Sequence, residues 1–334
     1  MVAALAGRAA RWIGQPAMIG YVVAGAIAAF VLPRGASFDA AIRACALLGE
    51  LGVLALMFTS GAEMDGGELW SRARRGVPLT LAVIATPFAA GLALAPRFPQ
   101  LRGAGADPIA FTILIATCLT VTAFPVLIEI LRDRRLLATP IGVTAAGIAA
   151  VNDVIAWLLL AFVALWSAKA MPPLLVVAVF VAFFVGTIVP HSPRSGARLA
   201  TLRRILCTPF LPLFFAGIGM HVASIRGALA VSAIFIAVAV VAKIVPATLV
   251  SRLRGEPWRH AFVLGALLNA RGAMELIAAK LGLELGLLSP AGFSVLVSVA
   301  VVTTLITGPL LRAAYSPSLG STTAAAVSSS DAAA

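Results

Sequence analysis

Apolar residues gather along this chain in ten runs of about 18–25 residues, separated by short stretches that collect the charge. The runs lie at about 14–32, 41–60, 77–96, 108–131, 138–167, 171–190, 205–223, 227–252, 259–283 and 288–314. A helix of that length crosses a hydrocarbon layer of roughly 30 Å. The pattern therefore predicts an all-α polytopic membrane protein of about ten helices. Three runs carry polar residues at their centres. The fourth contains Thr120-Val-Thr-Ala-Phe-Pro125, the fifth Val151-Asn-Asp-Val154, and the ninth Asn269-Ala-Arg-Gly-Ala-Met-Glu275. Elsewhere Pro16, Gly20, Gly49, Gly52 and Gly61 put small or rigid residues into helices, which lets neighbours approach closely.

Composition sharpens this picture. The chain is 61% hydrophobic and 11% charged, with mean hydropathy +1.05, which excludes an ordinary soluble domain. Residues 1–314 read as one transmembrane domain, and 315–334, rich in Ser, Thr and Ala, as a disordered tail. The net charge of +12 is topogenic rather than a nucleic-acid footprint, because the basic residues sit in loops that alternate. Arg8, Arg11, Arg72, Arg74, Arg75, Arg132, Arg134, Arg135, Arg194, Arg198, Arg203, Arg204, Arg252, Arg254, Arg259 and Arg312 fall on one side. Arg34, Arg97, Arg102, Lys169 and Arg226 fall on the other, sixteen against five. Both termini are then cytoplasmic, in a bacterial-type inner membrane. Cys45, Cys118 and Cys207 lie in apolar runs without metal-ligand spacing and read as inert core residues.

The polar residues inside the runs are the candidate chemistry. A carboxylate at the bilayer centre costs on the order of 2.5–3.5 kcal/mol by insertion scales, so Asp153 is a functional candidate by default. Burial disfavours its anion and a nearby cation favours it, which lets a proton and a desolvated cation compete for one place. Asn152 either ligates the ion or hydrogen-bonds unwound backbone. Pro125 removes an amide donor and clashes with the carbonyl four residues back. The carbonyls this releases, with Thr120 and Thr122, suit a small hard cation. Lys243 lies deep in its run, with Asp153 its partner by depth and snorkelling the alternative. Arg271 and Glu275 are four apart on one helix face, placed to neutralise each other and cap two half-helices, a structural pair as readily as ion ligands. Lys280 and Glu284 read as interfacial, Glu63, Asp65 and Glu68 as a solvated helix end, and His191, His221 and His260 as loop-edge residues. Spans 77–96, 108–131 and 138–167 form a triplet with a broken middle member, as do 227–252, 259–283 and 288–314. Five spans separate their starts, so the triplets run with opposite topology, the arrangement of inverted-repeat transporters.

These residues resemble the membrane domain of the monovalent cation:proton antiporter-2 family, the sodium/proton exchanger type. The matching stretches are Gly14-Gln-Pro-Ala-Met-Ile-Gly20 with Ala24-Gly25, Gly49-Glu-Leu-Gly52 with Gly61-Ala-Glu-Met-Asp65, and Thr122-Ala-Phe-Pro-Val-Leu127. They continue with Val151-Asn-Asp153, Leu211-Pro-Leu-Phe-Phe215, Lys243, Asn269-Ala-Arg-Gly272 and Thr303-Thr304…Pro309. The resemblance implies two crossing discontinuous helices beside the Asp, a dimerisation scaffold, and an elevator motion of the core against it. By the same resemblance Asp153 carries proton and cation, Asn152 is its partner, Thr122–Pro125 form the first crossing, Asn269–Gly272 the second, and Lys243 is the core basic residue.

Two departures accompany the resemblance. The segment before Gly14 is only thirteen residues, and two linking spans are missing near 167–175, a loss that preserves inside/outside parity. The expected function is antiport of Na⁺ or K⁺ against H⁺ by a homodimer in the bilayer, with no cofactor, no enzymatic activity and no nucleic acid. The alternative is a truncated, transport-incompetent relative that serves only as a membrane partner.

Overall fold

The computed structural model describes residues 2–31, 35–62, 76–167, 174–190, 192–222 and 229–314. Arg34, the acids Glu63, Asp65 and Glu68, Arg72, Arg74 and Arg75, the junction 168–173, His191, Arg226 and the tail from 315 lie outside the described residues.

The described residues are helical, joined by turns and one isolated antiparallel bridge between Arg102 and Leu288. Eight helical units are long and apolar enough to cross a membrane, and two shorter apolar helices, Ala17–Val31 and Val177–Thr187, fall in the remaining predicted runs. In chain order the helices are α1 (Val2–Trp12), α2 (Ala17–Val31), α3 (Ala36–Ala62), α4 (Val77–Leu94), α5 (Pro108–Thr120), α6 (Phe124–Asp133) and α7 (Pro140–Ser167). There follow α8 (Leu174–Thr187), α9 (Pro193–Leu202), α10 (Thr208–Met220), α11 (Leu229–Leu253), α12 (Trp258–Leu268), α13 (Ala273–Glu284) and α14 (Pro290–Ala314).

One local difference from the sequence reading concerns the basic stretch before the seventh run. It forms α9, started by a Ser192/Ser195 capping box with Pro193 in the first turn, and joins α10 through five residues of π geometry, Arg203–Cys207. The helix is short and amphipathic with little net hydrophobicity, so a reading by long apolar runs passes over it.

Packing divides the helices into two groups. In the first, α2 packs against α1 and α10, and α3 against α8 and α10. In the second, α4 packs on α5 and α11, α11 on α12 and α14, and α7 on α5, α6 and α12. The broken pairs α5–α6 and α12–α13 occupy the middle of the second group: their spans are 83% and 94% buried, against 28–56% for the other six. That contrast marks the two interrupted helices as the centre of the molecule, with the uninterrupted ones around them turning apolar faces outward. Leu158, Phe162 and Leu165 of α7 and Val241 and Leu249 of α11 are among the exposed residues of those faces.

The first group is held by backbones in direct approach. A Cβ on Gly25 would lie 2.0 Å from the Ala216 carbonyl oxygen, and one on Gly219 2.1 Å from that of Val22, so α2 and α10 touch through reciprocal glycines. Backbone cannot swing aside as a side chain can. Gly25→Ala is expected to force the two helices apart at a cost of about 1–3 kcal/mol, read as a lower melting temperature of the detergent-solubilised protein by size-exclusion chromatography after heating. An unchanged melting temperature would show that this contact is not tight.

Between the groups, Trp157 of α7 meets Phe180 edge to face at 5.2 Å and Phe183 at 5.8 Å, both on α8. The small cavity beside it is lined by Trp157, Phe180, Phe214 and the ion pair Lys280–Glu284, whose side chains approach to 2.6 Å. The two charged groups read from sequence as interfacial thus pair with each other at the boundary of the helix groups.

Candidate functional site

The first break begins where the proline predicts it. Pro125 falls in the first turn of α6, where its missing N–H costs nothing, and the carbonyl it would strike in a continuous helix belongs to Val121. Val121 leaves the helix there, with φ −53° and ψ 133°, and the chain stays extended through Ala123. The second break runs from Asn269 to Gly272, whose backbone is fully extended at φ 160°. Gly272 earns its place by close approach rather than by backbone freedom: a Cβ there would lie 2.5 Å from Met18 Cε and 2.7 Å from Val126 Cγ2.

The two breaks meet. Ala123 N–H donates to the Ala270 carbonyl at 3.2 Å, and Thr122 Oγ donates to the Leu268 carbonyl at 3.0 Å. Backbone groups released by one interruption are satisfied by the other, as buried non-helical backbone in a membrane requires. Third helices complete the accounting. Asn152 of α7 donates its amide to the Thr120 carbonyl at 2.9 Å and to Thr122 Oγ at 3.1 Å. From α14, Thr304 Oγ donates to the Arg271 carbonyl at 2.8 Å, while Asn269 donates back to the Thr303 carbonyl at 3.3 Å.

Charge is distributed by helix ends. The C-terminus of α5 exposes carbonyls and the negative end of its dipole. Arg271 donates to the Cys118 carbonyl at 2.6 Å and to that of Leu119, and Lys243 donates to the Thr120 carbonyl. Lys243 therefore reaches the crossing, but onto a helix end: its hydrogen bond goes to a carbonyl and not to the Asp153 carboxylate, the partner that depth alone nominated. The Thr120 carbonyl is shared by Lys243 and Asn152, and Asp153 stays within electrostatic reach of Lys243 without a hydrogen bond to it. The positive N-terminus of α6 takes the anion instead, with Phe124 N–H donating to Asp153 Oδ2 at 3.3 Å.

Asp153 is 2% exposed, and its other oxygen, Oδ1, is buried without a hydrogen-bond partner. Asn152 Oδ1 is also free, its amide nitrogen being committed to Thr120 and Thr122. An unpaired carboxylate oxygen and an unpaired amide oxygen thus sit on adjacent residues of α7, next to the Thr120 carbonyl and the Thr122 hydroxyl that the Asn152 amide contacts; oxygens of this kind are what hard cations take as ligands. Thr120 Oγ itself donates to the Ala116 carbonyl, one turn back on its own helix. The fully buried Arg271 and Glu275 make a 3.4 Å ion pair, and neither Glu275 oxygen has a hydrogen bond. Among the described residues no group of three or more His, Cys, Asp or Glu gathers as a metal site. Cys118 and Cys207 are buried and neither is in a disulfide.

Sequence reasoning passed over Thr303, Thr304 and Thr307 as site residues, although all three are buried against the second break. Their signal was present, hydroxyls in the middle of an apolar run as at Thr120 and Thr122. It was muted because no charge accompanied them and the proline that follows, Pro309, does not break the helix.

Comparison with known proteins decides the family. The sequence model described as the transmembrane sodium/hydrogen exchanger matches residues 1–194 and 173–315. The chain belongs to that family. Among the relatives of this chain, Cation/H(+) antiporter 18 of Arabidopsis thaliana is 30% identical over 92% of the chain and 47% of its own length. The Na(+)/H(+) antiporter NhaS4 of a Synechocystis strain is 28% identical, covering 80% of this chain and 82% of its own. K(+)/H(+) antiporter 1 of Saccharomyces cerevisiae is 26% identical over 80% of the chain and 39% of its own. The chain thus spans less than half the length of these plant and yeast relatives. It is also shorter inside the matched region. The alignment with the Arabidopsis protein covers 378 positions against 334 residues in all, so at least 44 positions have no counterpart here.

Proposed function

We propose that this chain exchanges a monovalent cation, Na⁺ or K⁺, for protons, with Asp153 carrying each in turn. The observation that carries the reading is the position of that carboxylate. It is buried between two helix breaks, held by one backbone N–H, and left with one free oxygen. A bare anion there is the costly state, so a proton or a desolvated cation must occupy it. Asn152 Oδ1 supplies a second ligand, and Thr122 and the Thr120 carbonyl hold that amide in place. One carboxylate holding one ion at a time gives one-for-one exchange. Pro125, Lys243, Asn269, Arg271 and Glu275 shape the crossing and do not touch the ion.

Alternating access follows from the two helix groups. Helices α4–α7 and α11–α14 form inverted triplets, and this core slides against a scaffold of α1–α3 and α8–α10, in an elevator motion. Support comes from the paired interruptions and from a boundary crossed by side chains, Trp157 on Phe180 and Phe183, Gln15 on the Leu305 carbonyl and Arg312 on that of Ile13. The scaffold carries the homodimer interface, and the positive-inside bias puts the arginine-rich loops in the cytoplasm of a bacterial-type inner membrane.

The positions missing from the alignment favour a second reading, a transport-incompetent relative that lacks chain its longer relatives have. Reconstitution separates the two. Purified protein in liposomes loaded with a pH dye is expected to give proton movement on a jump in external NaCl or KCl, and none with choline chloride. A monodisperse preparation silent to both salts would establish the second reading.

A further inference from the structure

The stretch Gly14-Gln15-Pro16, which links α1 to α2, takes no part in the crossing itself. It borders a cavity of about 570 Å³ that also reaches the end of α6 and the second half of α14, on the side of the arginine-rich loops. Gln15, Glu129, Asp133, Arg134, Thr304 and Arg312 line it.

Two of these residues are committed in a way that leaves only acceptor oxygens free. Gln15 is nine-tenths buried, and its Nε2 donates to the Leu305 carbonyl at 3.3 Å. A carbonyl only accepts, so this bond sets the amide orientation and turns Oε1 away from α14's backbone, where it has no partner. Thr304 is buried, and its hydroxyl faces two carbonyls, those of Arg271 at 2.8 Å and Ala300 at 2.7 Å. Its one proton is taken by these, and lone pairs are what remain for the cavity. Such oxygens are satisfied by a hydrogen-bond donor or by a cation, and never by an anion. Glu129 and Asp133, one turn apart on α6, add carboxylates at the same cavity.

The opposing charges set the strength. Arg312 is engaged with the Ile13 carbonyl at 3.1 Å, and Arg11, Arg132 and Arg203 lie within electrostatic reach of Glu129. Against that background the carboxylates cannot hold a cation tightly. A transit station needs this, since an ion must bind well enough to enter and weakly enough to leave.

We propose that Gln15 Oε1, Thr304 Oγ and the Glu129 carboxylate form a second binding site for the monovalent cation, inward of Asp153. Thr304 connects the two sites, because it also holds the backbone of the second break. The inference rests on the antiport reading and deepens it.

The test uses the full chain in everted membrane vesicles, with NaCl or KCl added to the cytoplasmic face and proton movement followed by dye dequenching. Gln15→Met, which removes the free oxygen at similar volume, is expected to raise the half-maximal cation concentration about 5–10-fold with the plateau retained. Gln15→Glu, which restores an oxygen, should return it to within about 2-fold of wild type. Glu129→Gln, at the cavity's rim, should raise it about 3-fold, and serves as the independent readout if Gln15→Met does not fold. A binding arm needs no transport: purified Asp153→Asn protein is expected to keep weak, saturable ²²Na⁺ binding that Gln15→Met removes. Wild-type half-maximal concentrations in both Gln15→Met and Glu129→Gln would overturn the second site, as would a lowered plateau at unchanged half-maximal concentration, the mark of a purely structural role. If Asp153→Asn is inactive while these variants behave as wild type, this inference alone fails; if Asp153→Asn still exchanges, the assignment of Asp153 as the carrier fails first.

Discussion

Asp153→Asn is expected to lower cation-driven proton movement in proteoliposomes to below about 1% of wild type. Asparagine is close to isosteric and can still accept the Phe124 N–H at the head of α6. It can neither hold the transported proton nor neutralise a desolvated cation. Charge-assisted contacts are roughly twice as strong as neutral ones, and losing about 3 kcal/mol of ion stabilisation is about a hundredfold. The variant should fold as well as wild type, because it removes a buried charge without removing a hydrogen bond. Its melting temperature, measured alongside transport, separates loss of function from loss of structure. Sustained dequenching by a folded Asp153→Asn protein would end the assignment of Asp153 as the carrier.

The second large effect concerns stability. Arg271 is fully buried, pairs with Glu275 at 3.4 Å, and donates to the carbonyls of Cys118 and Leu119 at the end of α5. Arg271→Met removes all of these together. It leaves the Glu275 charge alone in the core and the end of a half-helix without its donors, at an expected cost of about 3–5 kcal/mol. The measurement is the melting temperature of the solubilised protein. The double variant Arg271→Met/Glu275→Leu should recover a large share of that loss, since it removes the stranded carboxylate, but not the share due to the unbonded α5 carbonyls. Equal melting temperatures for the single and double variants would show that capping, and not the ion pair, is what Arg271 supplies.

Much of this site is legible along the chain because a membrane penalises the features that compose it. A proline, a carboxylate and an Asn-Ala-Arg-Gly run stand out against apolar residues that are otherwise uniform. The partners are not legible in the same way. Lys243 and Asp153 lie at similar depth, and depth pairs them; the folded chain gives Lys243 to a carbonyl of α5 and Asp153 to an amide of α6. The choice belongs to the orientation of two half-helix ends, and linear order does not carry orientation. Gln15 illustrates the same limit from the other side. It sits in a motif at the head of α2, and nothing in its neighbours reveals an amide oxygen left free in a cavity 290 residues from its partner Leu305.

The chain's own pattern determined that it is an all-α membrane protein, where two helices break, and which buried acid lies beside the first of them. Each of these follows from local chemistry: apolar length, a missing amide donor, and the expense of a charge in hydrocarbon. Only the tertiary structure decided that the two breaks satisfy each other's backbone, that cations hold one half-helix end and an anion the other, and that Asp153 keeps one oxygen free. Those outcomes depend on how the half-helices are oriented in three dimensions, which decides which buried donors and acceptors meet and which, like Asp153 Oδ1, are left without a partner.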